Sequence, residues 1–330
     1  MRLAFVVAEP RDQRHTFGTI YLAQAALRRG HDVGFVGIDD LSLLPDDEVV
    51  ATITRPRGSP GSNEELCALL ASGADRQEES LERFDVVFLR YNPGGTVRGN
   101  AAVDFGWRLQ LRGTLVVNDP DGIRRAATRA YLSGLPANLR ARTLVTRDAG
   151  RVKAFLETLN GPAIVRPLAR RPEGEDESAV FTLAKGQVDN LDQMISVIKQ
   201  RSYVMVQETL AGLVAGEKRL LLLRGEPMKT GKQVAVYRRP SATGPGLRRT
   251  CEFGAAEARI VEALRPRLEA DGLYFVAVDI VGGKVTELNV HTPGGFHANL
   301  ELHGLDIGDI VVRDLEQRVT QRRARPARVR

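Results

Sequence analysis

The stretch LYFVAVDIVGGKVTELNVHTPGG, residues 273–295, constrains this chain more than any other. Two apolar runs flank the dipeptide Gly282-Gly283, the pattern of a hairpin whose turn needs residues free to take positive φ. Strand side chains alternate faces, so Glu287 and Asn289, two apart, point the same way. Folding at the glycines brings Asp279 beside them. Two carboxylates and one amide oxygen on a sheet face suit magnesium, which takes a few carboxylates and leaves room for phosphate oxygens. The same pattern fits a half-buried hairpin with a polar wet face, and the hairpin alone does not separate the two.

At 330 residues the chain can build two or three domains with sizeable cores. No apolar run is long enough to cross a bilayer, and Met1 leads straight into a strand without a charged segment and apolar h-region. Cys67 and Cys251 stand far apart and outside any metal-ligand spacing, which argues against a disulfide framework or a zinc site. These features together predict a cytoplasmic protein with no membrane role. The formal charge is +6, and residues 317–330, QRVTQRRARPARVR, carry six Arg and no acid. The remainder is therefore near neutral, and the high pI does not describe a basic binding face. The tail is expected to be solvated and disordered, and nucleic acid is not an expected partner.

From the N-terminus, RLAFVVA (2–8) reads as a buried strand, 18–29 as a helix ended by Gly30, and 31–38 as a second strand. This βαβ unit opens an α/β domain, without the GxGxxG turn of a dinucleotide site. A strand at 49–54, a short helix from about Glu64, strand 84–90, helix 100–112 and strand 114–117 complete a doubly wound sheet. Ligands in such sheets lie beyond the carboxyl ends of the strands. The loop Arg90-Tyr91-Asn92-Pro93-Gly94-Gly95 is at such an end, so Arg90 and Asn92 are candidate contacts for an anionic substrate; a plain Pro-Gly turn with a surface Arg is the other reading. Further along, 118–202 reads as a small α+β unit containing the strands TLVT and AIVRPL. Residues 203–316 read as a third unit, with a helix at 255–270 that Pro266 is expected to kink, the opening hairpin and a last helix from about Asp306.

With those segments in hand, the chain resembles the ATP-grasp superfamily and, within it, the bacterial glutathione synthetases. The resemblance is carried by GTLVVNDP (113–120), TLVTRD (143–148), EKRLLLLRGEP (217–227) and the hairpin itself. It implies an α/β plus α+β protein: an N-terminal doubly wound α/β domain at 1–117, a small ATP-grasp subdomain at 118–202, and a metal-bearing catalytic subdomain at 203–316. It implies ATP and Mg²⁺, or Mn²⁺ in its place, a small-molecule carboxylate and an amine or amino acid as substrates, and a homo-oligomer, dimer or tetramer. The reaction it implies joins carboxylate to amine through an acyl phosphate. Asp279, Glu287 and Asn289 fall on the metal ligands, and Arg219 and Arg238 on basic residues facing the transferred phosphoryl group. Glu217 falls near the ribose contact, and Gln207, Glu208, Thr209 and Leu210 on the connector that meets adenine. Phosphoryl transfer needs positive charge around its oxygens, which a metal and arginines supply. The loop His291, Thr292, Pro293, Gly294, Gly295 follows the hairpin and is a candidate substrate loop, with His291 as a base toward the amine.

The pattern also departs from the family. Arg129 and Arg166 stand where Lys is usual, and Arg has a larger planar head. The Gly-rich phosphate lid is replaced by LARRPEGEDESAV (168–180), with one glycine and four acids that repel phosphate. Three readings follow: a working ligase whose lid is remodelled, with Arg170, Arg171, Arg248 and Arg249 replacing lost contacts; an impaired pseudoenzyme that binds nucleotide or metabolite as a regulator or scaffold; and a fold using another phosphoryl donor or acceptor.

Overall fold

The computed structural model describes residues 1–72, 74–93, 96–168, 180–184, 186, 190–200, 202–213, 216–230, 232–233, 235–239 and 246–324. Residues 169–179 of the expected lid, with Arg170 and Arg171, and Gly94 and Gly95 of the Arg90 loop lie outside them.

The first sheet contains β1 (Arg2–Val7), β2 (Asp32–Gly37), β3 (Leu41–Leu43), β4 (Val49–Arg55), β5 (Asp75–Ser80), β6 (Val86–Leu89) and β7 (Leu115–Val117). Its order is β3-β4-β2-β1-β6-β7, with β5 also on β4. The strands β2, β1, β6 and β7 run parallel, and β3, β4 and β5 pair antiparallel. Alternation along β1 sets the two faces. Leu3, Phe5 and Val7 pack with α1 (Gly18–Arg28) and α2 (Asn63–Ala71), whereas Ala4 and Val6 pack with α3 (Val97–Leu111). Helix starts follow their caps: the Ser62 hydroxyl accepts from Glu65 N–H, and Thr96 from Gly99 N–H.

Beyond β7, α4 (Pro120–Arg125) opens with Pro120 behind the N-cap Asp119. A four-stranded antiparallel sheet follows, of order β10-β9-β11-β8, from β8 (Thr143–Thr146), β9 (Ala163–Pro167), β10 (Phe181–Leu183) and β11 (Val204–Glu208). It is backed by α5 (Ala149–Glu157) and α6 (Leu191–Lys199).

The third sheet comprises β12 (Glu217–Leu223), β13 (Glu226–Pro227), β16 (Ala235–Arg239), β17 (Leu247–Cys251), β18 (Phe275–Val281) and β19 (Lys284–Asn289), with a small separate pair β14 (Lys229–Thr230) and β15 (Lys232–Gln233). All its pairings are antiparallel, in the order β17-β16-β12-β18-β19. Leu220, Leu222, Val276, Val278 and Ile280 pack on α7 (Ala255–Ala270), and the alternate residues Leu221, Phe275 and Ala277 enter the core of the N-terminal sheet. Helix α7 runs unbroken through Pro266.

The chain ends in α8 (Phe296–His303) and α9 (Ile307–Ala324). The expected disordered tail is corrected here: residues 317–324 are helical. Val311, Val312, Leu315 and Val319 of α9 join Leu3, Phe5 and the α1 side chains in one core, and Arg323 pairs with Asp85 at 2.6 Å. An apolar stripe facing the first sheet therefore overrides the basic composition of this stretch. Among the described residues no helix is long and apolar enough to cross a membrane.

Candidate active site

The face of the third sheet that turns toward the N-terminal core carries the candidate residues, because strand alternation places them there. On β18, Phe275, Ala277 and Asp279 share that face; on β12, Glu217, Arg219 and Leu221 do. Register then sets a row across the sheet. Arg219 lies opposite Asp279, Asp279 opposite Glu287, and Glu217 opposite Arg238. Gly282 and Gly283, both at positive φ, make the turn, and a register shift between Asp279 and Ile280 brings Glu287 rather than Thr286 opposite Asp279.

Asp279 is 1% exposed. Its Oδ1 accepts from Arg219 Nε at 2.7 Å, and its Oδ2 accepts from Arg219 Nη2 at 2.7 Å and Arg238 Nη2 at 2.8 Å. Arg238 also reaches Glu217 at 2.5 Å. Burial pulls the Arg219 guanidinium down, but the fork onto Asp279 and the nearby Glu217 and Glu287 charges more than offset this, and its pKa rises. The Glu217 carboxyl is pushed up, first by burial and then by the Asp279 charge. Carboxylates crowded in this way are the surroundings a cation relieves. The Asn289 amide oxygen accepts from the N–H groups of His291 and Thr292 at 3.1 Å, and its amide donates to Thr292 O at 3.2 Å. These bonds hold the amide in one orientation and use both lone pairs of its oxygen, so a cation would take that oxygen only by displacing one of them. Among the described residues no three His, Cys, Asp or Glu are grouped to hold a metal. Two carboxylates and an oriented amide fit Mg²⁺ that takes its remaining oxygens from phosphate and water.

The residues expected on the nucleotide side fall on the small sheet and its exit. Arg129 is buried, with Nη1 directed at Pro167 O, so it lies against β9, which carries Arg166. Arg166 Nη2 donates to Gln207 Oε1 at 3.0 Å, and the Gln207 amide donates to the Thr143 hydroxyl. Glu208 faces elsewhere, toward Lys284 Nζ and Arg142 N–H, both at 2.9 Å; burial raises its pKa, and these bonds bring it below the usual value. Thr209 N–H is bound to Pro162 O, but among the described residues neither its buried hydroxyl nor the buried Nε of Arg238 has a hydrogen-bond partner. Leu210 is half-buried beside them. Buried polar atoms are normally satisfied, so an orphaned hydroxyl in the connector and an orphaned donor at the carboxylate row fit a nucleotide laid between them.

Arg90 is neither a surface arginine nor an open grip. It is 2% exposed, bonded from Nε to the Thr19 hydroxyl at 3.2 Å and from Nη1 to His291 O at 3.3 Å. It thus pins the loop after β19 to the first sheet. Gly18 meets the same loop: a Cβ there would fall 2.5 Å from the Phe296 ring and 2.9 Å from Pro293 O. His291 is buried, Asn92 and Thr292 are half-buried, and Gly294 and Gly295 lie against Arg219. A cavity of about 900 Å³ opens beside them, lined by Glu9, Arg11, Arg14, Thr19, Arg90 and Thr292 among others. Sequence reading passed over the 9–17 loop; its position after the carboxyl end of β1 was the available signal. It also missed Asn118, whose amide bonds Phe275 O and Val290 O at 2.9 and 2.6 Å and joins β7 to both flanks of the hairpin. Neither cysteine is a poised nucleophile: burial pushes the Cys67 thiol up to about 11 and raises Cys251.

Residues 1–124 match the family description "Prokaryotic glutathione synthetase, N-terminal domain", and residues 131–303 match "Prokaryotic glutathione synthetase, ATP-grasp domain". The glutathione synthetase of Synechocystis sp. is 30% identical over 328 residues, covering 96% of this chain and 99% of its own. That of Thermosynechococcus vestitus is 34% identical over 204 residues, 60% of this chain and 62% of its own. Among solved structures, the D-cycloserine synthetase DcsG has a TM-score of 0.64 at 16% identity, covering 96% of this chain and 99% of its own. The ATP-grasp ligase PsnB complexed with minimal precursor has a TM-score of 0.62 at 17% identity, covering 96% of this chain and 98% of its own. At such identities the likeness concerns the fold, which is the ATP-grasp fold.

Proposed function

The chain belongs to the prokaryotic glutathione synthetase family, and on that premise we propose that it is a working ATP-dependent carboxylate–amine ligase of small-molecule substrates, acting through an acyl phosphate. The pseudoenzyme reading finds no support in these relatives. The observation that carries the proposal is the single row of Arg219, Asp279 and Glu287, with Glu217 and Arg238 in the next register pair, on the face turned to the N-terminal core.

Bound ATP and Mg²⁺ would supply the phosphoryl group that activates the carboxylate and the cation that neutralises its oxygens. Asp279 and Glu287, with the oriented Asn289 oxygen, would hold the cation. Arg219 and Arg238 bring guanidinium charge to the place where phosphate charge gathers. Arg129 and Arg166 flank the nucleotide side, Gln207, Thr209 and Leu210 face the base, and Glu208 ties this connector to the hairpin through Lys284. Arg90 acts by holding the 291–295 loop, so that Gly294 and Gly295 keep their place against Arg219. The adjoining cavity, with arginines and carboxylates on its walls, suits a zwitterionic amino acid or peptide.

The test is phosphate release from ATP with a panel of peptide carboxylates and amino-acid amines, γ-glutamylcysteine and glycine among them. Release that requires a matched pair supports the ligase, with glutathione as product if that is the pair. Failure to bind nucleotide at millimolar concentration contradicts it.

A further inference from the structure

We infer that Arg219 and Arg238 lock Asp279 in the resting protein, so that a divalent cation enters only by exchange with them and together with its nucleotide. The inference rests on the reading of Asp279 as a cation ligand.

Both oxygens of Asp279 are already occupied. Arg219 approaches as a fork, one nitrogen on each oxygen at 2.7 Å, and Arg238 adds a third bond to Oδ2 at 2.8 Å. The carboxylate is 1% exposed, so water does not compete for it. Magnesium-sized cations sit about 2 Å from a ligating oxygen. Guanidinium hydrogens hold three of the carboxylate's roughly four lone-pair sites, so a cation at that distance would sit against them and the like charges would repel.

The charge balance points the same way. Two guanidinium groups face three carboxylates, Glu217, Asp279 and Glu287, which lie close enough to shift one another. The arginines therefore already neutralise most of what would attract a bare dication. A nucleotide changes the balance, because its phosphate oxygens take over the guanidinium groups as the cation takes the carboxylate.

The arginines have somewhere to go. Arg238 keeps its second partner, Glu217, at 2.5 Å. Arg219 Nη1 lies 3.6 Å from where a Cβ on Gly294 would stand, on the side of the 291–295 loop, where glycine leaves no side chain at position 294. Exchange thus turns both charges from Asp279 toward the reacting phosphoryl group without removing them from the site. Their stabilising charge becomes available only when cation and nucleotide are both present.

Manganese titration followed by electron paramagnetic resonance tests this on the full chain, with Mn²⁺ alone and with Mn²⁺ plus a non-hydrolysable ATP analogue. Wild type should bind bare Mn²⁺ weakly and bind it tightly with the analogue. Arg219→Gln and, separately, the less buried Arg238→Gln should tighten bare Mn²⁺ binding by about tenfold or more, the order one nearby positive charge is worth at a partly buried site. Asp279→Asn should abolish the gain in either background. Unchanged or weaker bare Mn²⁺ binding in both arginine variants, with wild type still binding the Mn²⁺–analogue pair, overturns the exchange alone. Absence of Mn²⁺ binding by wild type even with the analogue overturns the cation-site reading and the exchange with it. Thermal melts of each variant identify any that fail to fold, and Arg219→Lys, which keeps the charge but loses the fork, should fall between wild type and Arg219→Gln.

Discussion

Glu287 sits opposite Asp279 in register yet is only half-buried, so its charge can be changed with little disturbance to packing. Glu287→Gln should weaken Mg²⁺-dependent nucleotide binding by about tenfold or more, the scale of one charge-assisted contact, and leave the fold intact. Calorimetric titration with and without Mg²⁺ checks this, and equal affinities for variant and wild type would remove Glu287 from the cation site. Period-two alternation put Glu287 and Asn289 on one face from the sequence alone, but Asp279 comes opposite Glu287 only through a register shift between Asp279 and Ile280, which no sequence pattern marked. The environment of Arg90 was not legible in this way. Its partners, His291 O and Pro293 O, lie 201 and 203 residues downstream, and nothing local announces that a buried guanidinium will be satisfied by backbone from another unit. The orphaned hydroxyl of Thr209 is likewise a property of packing, visible only once Pro162 and the connector are in place.

Secondary elements were most legible where a hydrophobic period marked them. The strands β1, β2, β4, β6, β18 and β19 and the helices α1, α3 and α7 fall close to where alternation and 3.6-residue spacing predict them. The strand β5, DRQEES, carries no apolar period: it is a charged edge held by its pairing with β4 and by Arg55–Glu79 and Arg57–Asp75 contacts, the last at 2.8 Å. Charged edges of this kind resist pairing with other chains. At the end of α7, Asp271 accepts from Tyr131 Oη at 2.7 Å and from Arg125 Nη1 at 2.6 Å, tying the helix to α4 and to the segment before the small sheet. Burial raises its pKa, but the Tyr131 and Arg125 bonds outweigh this and hold it below the usual carboxylate value. The folded pKa lies below the unfolded one, so this stabilisation is complete above about pH 5 and is lost as pH falls through the folded value. Asp271→Asn should therefore cost about 2 kcal/mol at neutral pH, measured by denaturant unfolding, and the gap from wild type should narrow as the medium is made acid enough to protonate the folded carboxylate. A gap that persists unchanged in acid would mean that the charge of Asp271 is not what stabilises this junction.

At the scale of the whole molecule, the C-terminus returns to complete the N-terminal core. Val319 is 5% exposed, Arg323 pairs with Asp85, and Arg322 donates to Gly113 O at 2.9 Å. Composition marked residues 317–330 as a basic tail because six arginines mask the sparse apolar stripe that docks residues 317–324. Removing 317–330 should lower the melting temperature by about 5 °C, from one buried valine, two polar contacts and the Arg318 guanidinium over the Tyr274 ring, while Mg²⁺-dependent nucleotide affinity stays unchanged; an unchanged melting temperature would restore the solvated tail. The chemistry proposed for the polar row of the third sheet makes a claim about atoms. If the carboxylate is activated as an acyl phosphate, one of its oxygens must leave with the phosphate when the amine displaces it. The most direct measurement uses a carboxylate substrate labelled with ¹⁸O, a matched amine, ATP and Mg²⁺, and reads the released phosphate by mass spectrometry. One ¹⁸O per phosphate, appearing in step with the amide and absent when the amine is omitted, is the predicted result. Amide formed with unlabelled phosphate, or phosphate released without amide, would contradict it.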